Sequence, residues 1–63
     1  MRREKHERVK MAVAYDVLKL YAKMSGRMAA FYVGQIFGES VTQGTLERYT
    51  QEHLEECTEL LKK

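Results

Sequence analysis

The sequence predicts an all-α protein, an antiparallel helical hairpin that dimerises into a four-helix bundle. Its 63 residues include no proline, and the apolar positions recur with the period of a helix. Turn-forming and capping residues are concentrated in one segment, Gly38-Glu-Ser-Val-Thr-Gln-Gly44. We therefore expect a single domain over residues 1–63, with a helix over about 4–37, a loop over about 38–40 and a helix over about 41–62.

The first helix is apolar around roughly two-thirds of its circumference, which is more than one partner helix covers. Its only solvated stripe passes through Ala12, Asp16, Lys19, Lys23 and Arg27. An exposed apolar surface of this extent is typical of a protein interface. We expect the first helices of two chains to pack together through Val13, Val17, Leu20, Met24, Met28 and Phe31.

Small residues at four-residue spacing run through the same segment and leave a second interpretation open. Glycine costs roughly 1 kcal/mol in a helix relative to alanine, so such a series indicates either close helix packing or a break. With a break at Gly26, three helices would span about 5–24, 27–37 and 41–62. The series comprises Ala22, Gly26, Ala30, Gly34 and Gly38.

The segment after the turn predicts an amphipathic helix with a narrow apolar stripe and an acidic outer face. Gly38 is placed to cap the C-terminus of the first helix. Ser40, with Gln43 three residues later, fits a capping box that opens the second helix. Six positions on the stripe are expected in the core or the dimer interface: Leu46, Tyr49, His53, Leu54, Cys57 and Leu61.

The composition excludes several classes of function. One cysteine, Cys57, permits no disulfide within the chain, and together with the distant His6 and His53 it does not supply a closed zinc site. No polar residues have the spacing of a catalytic triad, so we expect neither an enzyme nor a cofactor. Charged residues interrupt the apolar region too often for a membrane span, so we expect a soluble, cytoplasmic protein.

These features favour a non-enzymatic protein-interaction module. A chain of this size has a core that rarely supplies more than roughly 3 to 5 kcal/mol, and a partner subunit is the remaining source of stability. Residues 1–38 hold eight basic and three acidic side chains, a net charge of +5, whereas residues 39–63 hold three and six, a net charge of −3. We expect a homodimer that acts as an adaptor and binds another protein.

A helix-turn-helix DNA-binding regulator is the alternative. In the three-helix interpretation, the turn at Gly38 precedes a helix whose early residues would contact bases. The glutamates farther along that helix would lie beside phosphates, which argues against this alternative. The basic N-terminus could also contact phosphates or could be a solvated helix end. The candidate base-contacting residues are Thr42, Gln43, Thr45 and Arg48.

The chain also resembles a family of small helical-hairpin proteins from the spindle-shaped viruses that infect Sulfolobus, the fuselloviruses. The resemblance rests on the length, on the absence of asparagine and on the stretch from Tyr15 to Phe37 followed by the segment Gly38 to Gly44. It implies a homodimeric, antiparallel four-helix bundle that serves as an adaptor in macromolecular assembly, in the cytoplasm of the host cell. It implies no functional residues.

Overall fold

A computed structural model describes residues 4–62, and every regular element in that range is an α-helix. The prediction of an all-α chain is therefore confirmed. The four helices are α1, Lys5–Leu20; α2, Gly26–Phe37; α3, Gln43–Glu52; and α4, Leu54–Leu61. Helix α1 contacts each of the other three helices, and α2 also contacts α3.

The first predicted helix is divided by a connection over residues 21–25, so the continuous helix over 4–37 is wrong and the break near Gly26 is what the structure contains. Lys23 adopts a left-handed conformation with φ of 60°, which a helix does not accommodate. The hydroxyl of Ser25 then accepts a 3.2 Å hydrogen bond from the Met28 backbone N–H and opens α2. A continuous helix would be ~50 Å long, whereas the longest dimension of the fold is 30 Å.

The turn between α2 and α3 ends later than the predicted loop over 38–40. Gly38 caps α2 in the left-handed conformation, as expected, and the Glu39 N–H bonds the Gly34 carbonyl at 3.0 Å. The capping box at Ser40 is wrong, because Thr42 is the N-cap of α3. Its hydroxyl accepts a 3.2 Å hydrogen bond from the Thr45 N–H.

The second predicted helix, over 41–62, is also divided. His53 leaves the helical conformation, with φ of −124° and ψ of 42°, and separates α3 from α4. Neither glycine nor proline marks this position in the sequence. The bend is associated with tertiary contact, because Arg8 Nε on α1 donates a 3.3 Å hydrogen bond to His53 Nε2. Tyr49 before the bend and Cys57 after it are both buried in the core.

The core lies where α1 meets the other helices. Part of the side of α1 that the sequence predicts to be solvated is buried, and part of the side predicted to be packed is exposed. Ala12, expected in a solvated stripe, is fully buried, and Asp16 is half-buried. Val17 and Leu20, expected at a packed interface, are exposed in the single chain. The buried apolar residues are Val9, Met11, Ala12, Tyr15, Ala29, Ala30, Val33, Leu46, Tyr49 and Cys57.

Within residues 4–62 no helix combines the length and the apolar character that crossing a bilayer requires.

Candidate interaction surface

A polar cluster fixes α3 against one side of α1. The Tyr15 hydroxyl donates a 2.8 Å hydrogen bond to Glu47 Oε2, and Gln43 Nε2 donates to the same oxygen at 3.2 Å. Lys19 Nζ lies 3.9 Å from that oxygen and 5.1 Å from the centroid of the Tyr15 ring. The two hydrogen bonds, from Tyr15 first and Gln43 second, lower the pKa of the Glu47 carboxyl. Burial and the contact with Glu47 raise the pKa of Tyr15 to about 12.

The opposite side of α1 is apolar and faces away from α3. Successive residues on a helix are ~100° apart, so a residue two positions on points nearly the opposite way. Val17 follows Tyr15 by two positions, and Tyr21, which caps the end of α1, follows Lys19 by two. Because Tyr15 and Lys19 both contact Glu47 of α3, Val17 and Tyr21 lie on the far side of α1.

Helix α2 likewise has one side that faces α3 and an opposite side that faces away from it. Gly26 faces α3, since a Cβ there would lie 2.9 Å from Tyr15 Oη and would overlap the Gln43 side chain. Gly34 faces the turn before α3, where a Cβ would lie 2.6 Å from the Glu39 carbonyl oxygen. Met28 and Ile36, two positions after these glycines, therefore point away from α3. We call the set of exposed large apolar side chains on α1, its C-cap and α2 the outer face; its members are Val17, Leu20, Tyr21, Met28, Phe31, Tyr32 and Ile36.

The outer face is large for a protein of this size. Its side chains range from 36% exposed at Val17 to 76% exposed at Tyr21. With ~200 Å² for a fully exposed large side chain, the seven expose on the order of 750 Å². The largest apolar patch of a typical monomer covers ~300–600 Å², and each partner of a standard interface contributes ~800 Å². The summed exposed area of these seven side chains is therefore comparable with one side of a standard interface.

The predicted interface residues separate into four groups in the structure. Leu46, Tyr49 and Cys57 are in the core of the single chain. Val13, Met24, His53 and Leu61 are half-buried, and Leu54 is exposed on α4. Four of the six residues predicted from the first helix belong to the outer face: Val17, Leu20, Met28 and Phe31.

Seven of the ten core residues are absent from the predicted interface positions: Val9, Met11, Ala12, Tyr15, Ala29, Ala30 and Val33. Of these, Val9 and Met11 lie in the charged N-terminal third of the chain. The alternation of these apolar residues with charged ones does not distinguish an inward from an outward side chain. Only the packing of α1 against the other helices does so.

The candidate base-contacting residues are engaged with each other and with their own helix. The Thr42 hydroxyl donates a 2.9 Å hydrogen bond to the Thr45 hydroxyl, and Gln43 is bonded to Glu47. Arg48 Nε lies 3.9 Å from Glu52 Oε2, one helical turn away. The carboxylates of Glu47 and Glu52 therefore lie on the exposed surface of α3 together with Arg48, the only basic residue of that helix. Of the basic N-terminus, Arg2 and Arg3 lie outside the described residues.

Comparison with known proteins identifies no relative. The chain matches no protein-family model, and searches of curated proteins and of solved structures find no significant match. Within residues 4–62, no three His, Cys, Asp or Glu side chains are grouped as they would be to hold a metal ion.

Proposed function

We propose that this chain is a non-enzymatic protein-interaction module that forms a homodimer through the outer face and serves as an adaptor. The observation that carries the proposal is the exposed apolar surface of α2. Phe31, Tyr32 and Ile36 are 59%, 40% and 65% exposed. Burial of apolar surface stabilises a complex by ~25 cal/mol per Å² before the cost of association, so these side chains favour a partner.

A second copy of the chain is the partner that the composition of the outer face supports. Phe31 and Tyr32 are in edge-to-face contact, with ring centroids 5.8 Å apart, and form an exposed aromatic pair. In a two-fold dimer the same face serves both subunits. The interface would lie on α1 and α2, and α3 and α4 would remain accessible to the second partner of an adaptor.

The proposal also includes a cytoplasmic location and a viral origin. The lone cysteine, Cys57, is buried and unpaired, which suits the reducing conditions of a cytoplasm. The resemblance to the fusellovirus family implies the cytoplasm of an infected archaeal host, and it implies the same adaptor role.

Sedimentation equilibrium from about 1 to 100 μM tests self-association directly. The expected mass is twice 7.4 kDa, or 14.8 kDa. The double variant Phe31→Ser with Ile36→Ser should shift the chain to the monomer mass, because each substitution removes ~2–3 kcal/mol of apolar burial from the dimer. A folded wild-type monomer across this concentration range would disprove the dimer.

A matched control uses another exposed apolar residue. Leu54, 56% exposed on α4, is outside the outer face, so Leu54→Ser should leave the mass unchanged. Circular dichroism of each variant checks that the helices are intact. Dissociation by Leu54→Ser but not by the double variant would assign the interface to α4 instead. Duplex DNA binding measured against salt examines the helix-turn-helix alternative, for which a steep salt dependence is expected.

A further inference from the structure

We infer that the groove between the N-terminal half of α1 and α4 is a docking site for a basic, amphipathic segment of a partner protein. The groove has a volume of about 950 Å³ and is open to solvent along its length. It shares no residue with the outer face. Its lining consists of Glu4, Lys5, His6 and Val9 on one side and Glu55, Glu56, Glu59 and Leu60 on the other.

The floor of the groove is apolar. Val9 is buried to 6% exposure and packs into the core, while Leu60 remains 45% exposed and lies one turn after Glu56 on α4. Lys5 Nζ forms a 2.7 Å ion pair with Glu56 Oε2, which ties α1 to α4 along this floor. A large apolar side chain seated against Leu60 would cover surface that the single chain leaves in water.

The rim of the groove determines the charge of the occupant. Four glutamates and one lysine line it, so four negative charges and one positive charge give a net charge of −3, on a chain whose net charge is +2. Glu55 and Glu59 are one helical turn apart and repel each other. Within residues 4–62 neither has an ion-pair partner. A lysine or arginine side chain of a partner would form ion pairs with Glu55 and Glu59.

The open shape indicates a chain segment rather than a small molecule. Enclosed ligand sites of ~300–1,000 Å³ cover most of the ligand surface, whereas this groove covers one side of its occupant. An apolar floor between acidic rims matches a helix with leucine on one face and lysine at the edges, a common form of helix-in-groove recognition. In the proposed dimer two such grooves would be present, one per subunit.

Fluorescence anisotropy with three labelled synthetic peptides of equal length tests the inference at ~150 mM salt, where long-range attraction is screened. The first peptide is a leucine and lysine amphipathic helix, the second replaces leucine by serine and the third replaces lysine by glutamate. The first should bind. The second should bind at least ~10-fold more weakly, because burial of one leucine contributes ~1.5–3 kcal/mol. The third should not bind.

Two pairs of substitutions that alter the chain charge equally locate the site. Glu55→Gln with Glu59→Gln should weaken binding of the leucine and lysine peptide by at least ~10-fold. Glu7→Gln with Glu52→Gln changes the charge by the same amount outside the groove and should leave the affinity within about twofold. Glu7 follows Lys5 by two positions and therefore points away from the groove.

Several results would overturn the inference: no binding of the first peptide, equal binding of the serine peptide, or equal weakening by both pairs of substitutions. Leu60→Ser provides a second variant, which should weaken binding of the first peptide without changing the net charge. Sedimentation of the same samples separates this inference from the proposed dimer. If the chain is a monomer and still binds the peptide in the groove, the proposed dimer is wrong and the proposed docking site is retained.

Discussion

The Tyr15 hydroxyl and the Glu47 carboxylate, 32 positions apart in sequence, form a 2.8 Å hydrogen bond that joins α1 to α3. The Tyr15 ring is buried at 1% exposure, whereas Glu47 is at the surface. This bond fixes the side of α1 that faces α3. The residues on the opposite side of α1 therefore point away from α3 and belong to the outer face. The contact therefore connects the core of the chain to the surface on which the proposed dimer depends.

Alkaline pH should destabilise the chain through Tyr15. Its pKa is about 12 in the folded chain and ~10 when unfolded, so the folded state favours the protonated phenol. The stabilisation is complete below about pH 10 and is lost as the pH rises to about 12. Urea unfolding across this range should show the decline, and Tyr15→Phe should reduce it.

The control for this prediction is another tyrosine. Tyr21 is 76% exposed, so Tyr21→Phe should leave the free energy of unfolding at neutral pH within ~0.5 kcal/mol of the wild type. Tyr15→Phe should lower it by ~1 kcal/mol through loss of the bond to Glu47. Equal stability of both variants would contradict the role assigned to Tyr15.

Two glycines should respond to alanine in opposite directions. At Gly34 a Cβ would lie 2.6 Å from the Glu39 carbonyl oxygen, so Gly34→Ala must displace backbone and should cost ~1–3 kcal/mol. At Gly44, inside α3, a Cβ meets nothing within 4 Å. Gly44→Ala should therefore stabilise the chain by ~0.5–1 kcal/mol. Thermal unfolding gives both values, and a stabilising Gly34→Ala would refute the close turn.

The start of α3 can be located by removing hydroxyl groups. Thr42→Ala deletes the acceptor of the Thr45 N–H and should cost ~1 kcal/mol. Ser40→Ala removes a hydroxyl two residues earlier, on an exposed side chain, and should change stability by less than ~0.5 kcal/mol. Urea unfolding of the two variants distinguishes the observed cap from the capping box that the sequence predicts. The reverse order would support the predicted box.

Cys57 should react slowly with thiol reagents in the folded chain. Its side chain is 1% exposed, and burial, followed by the charges of Asp16 and Glu56, raises the pKa of the thiol. Reaction then requires opening of the α1 and α4 contact, which should slow modification by ~100-fold or more relative to chain in denaturant. A disulfide-exchange reagent followed by absorbance measures both rates. A rate near that of the denatured chain would contradict the burial of Cys57.

The positions of individual core residues show how far sequence reasoning extends. Leu46, Tyr49 and Cys57 were predicted on one narrow stripe, and all three are buried. Leu54, on the same predicted stripe, is 56% exposed, so the stripe does not face the core along its whole length. The first segment offered several apolar faces of similar width, and the solvated stripe predicted there included Ala12, which is fully buried.

The sequence by itself determined that the chain is all-α, that a turn begins at Gly38 and that the segment after it is amphipathic, because periodicity and backbone preference act locally. Tertiary structure decided the bend at His53, the end of α1 before Lys23 and the face of α1 that turns inward. These features depend on contacts between distant residues, such as Tyr15 with Glu47 and Arg8 with His53. Which packing forms depends on the difference in free energy between alternative packings of the same apolar surface. The local sequence pattern does not determine that difference.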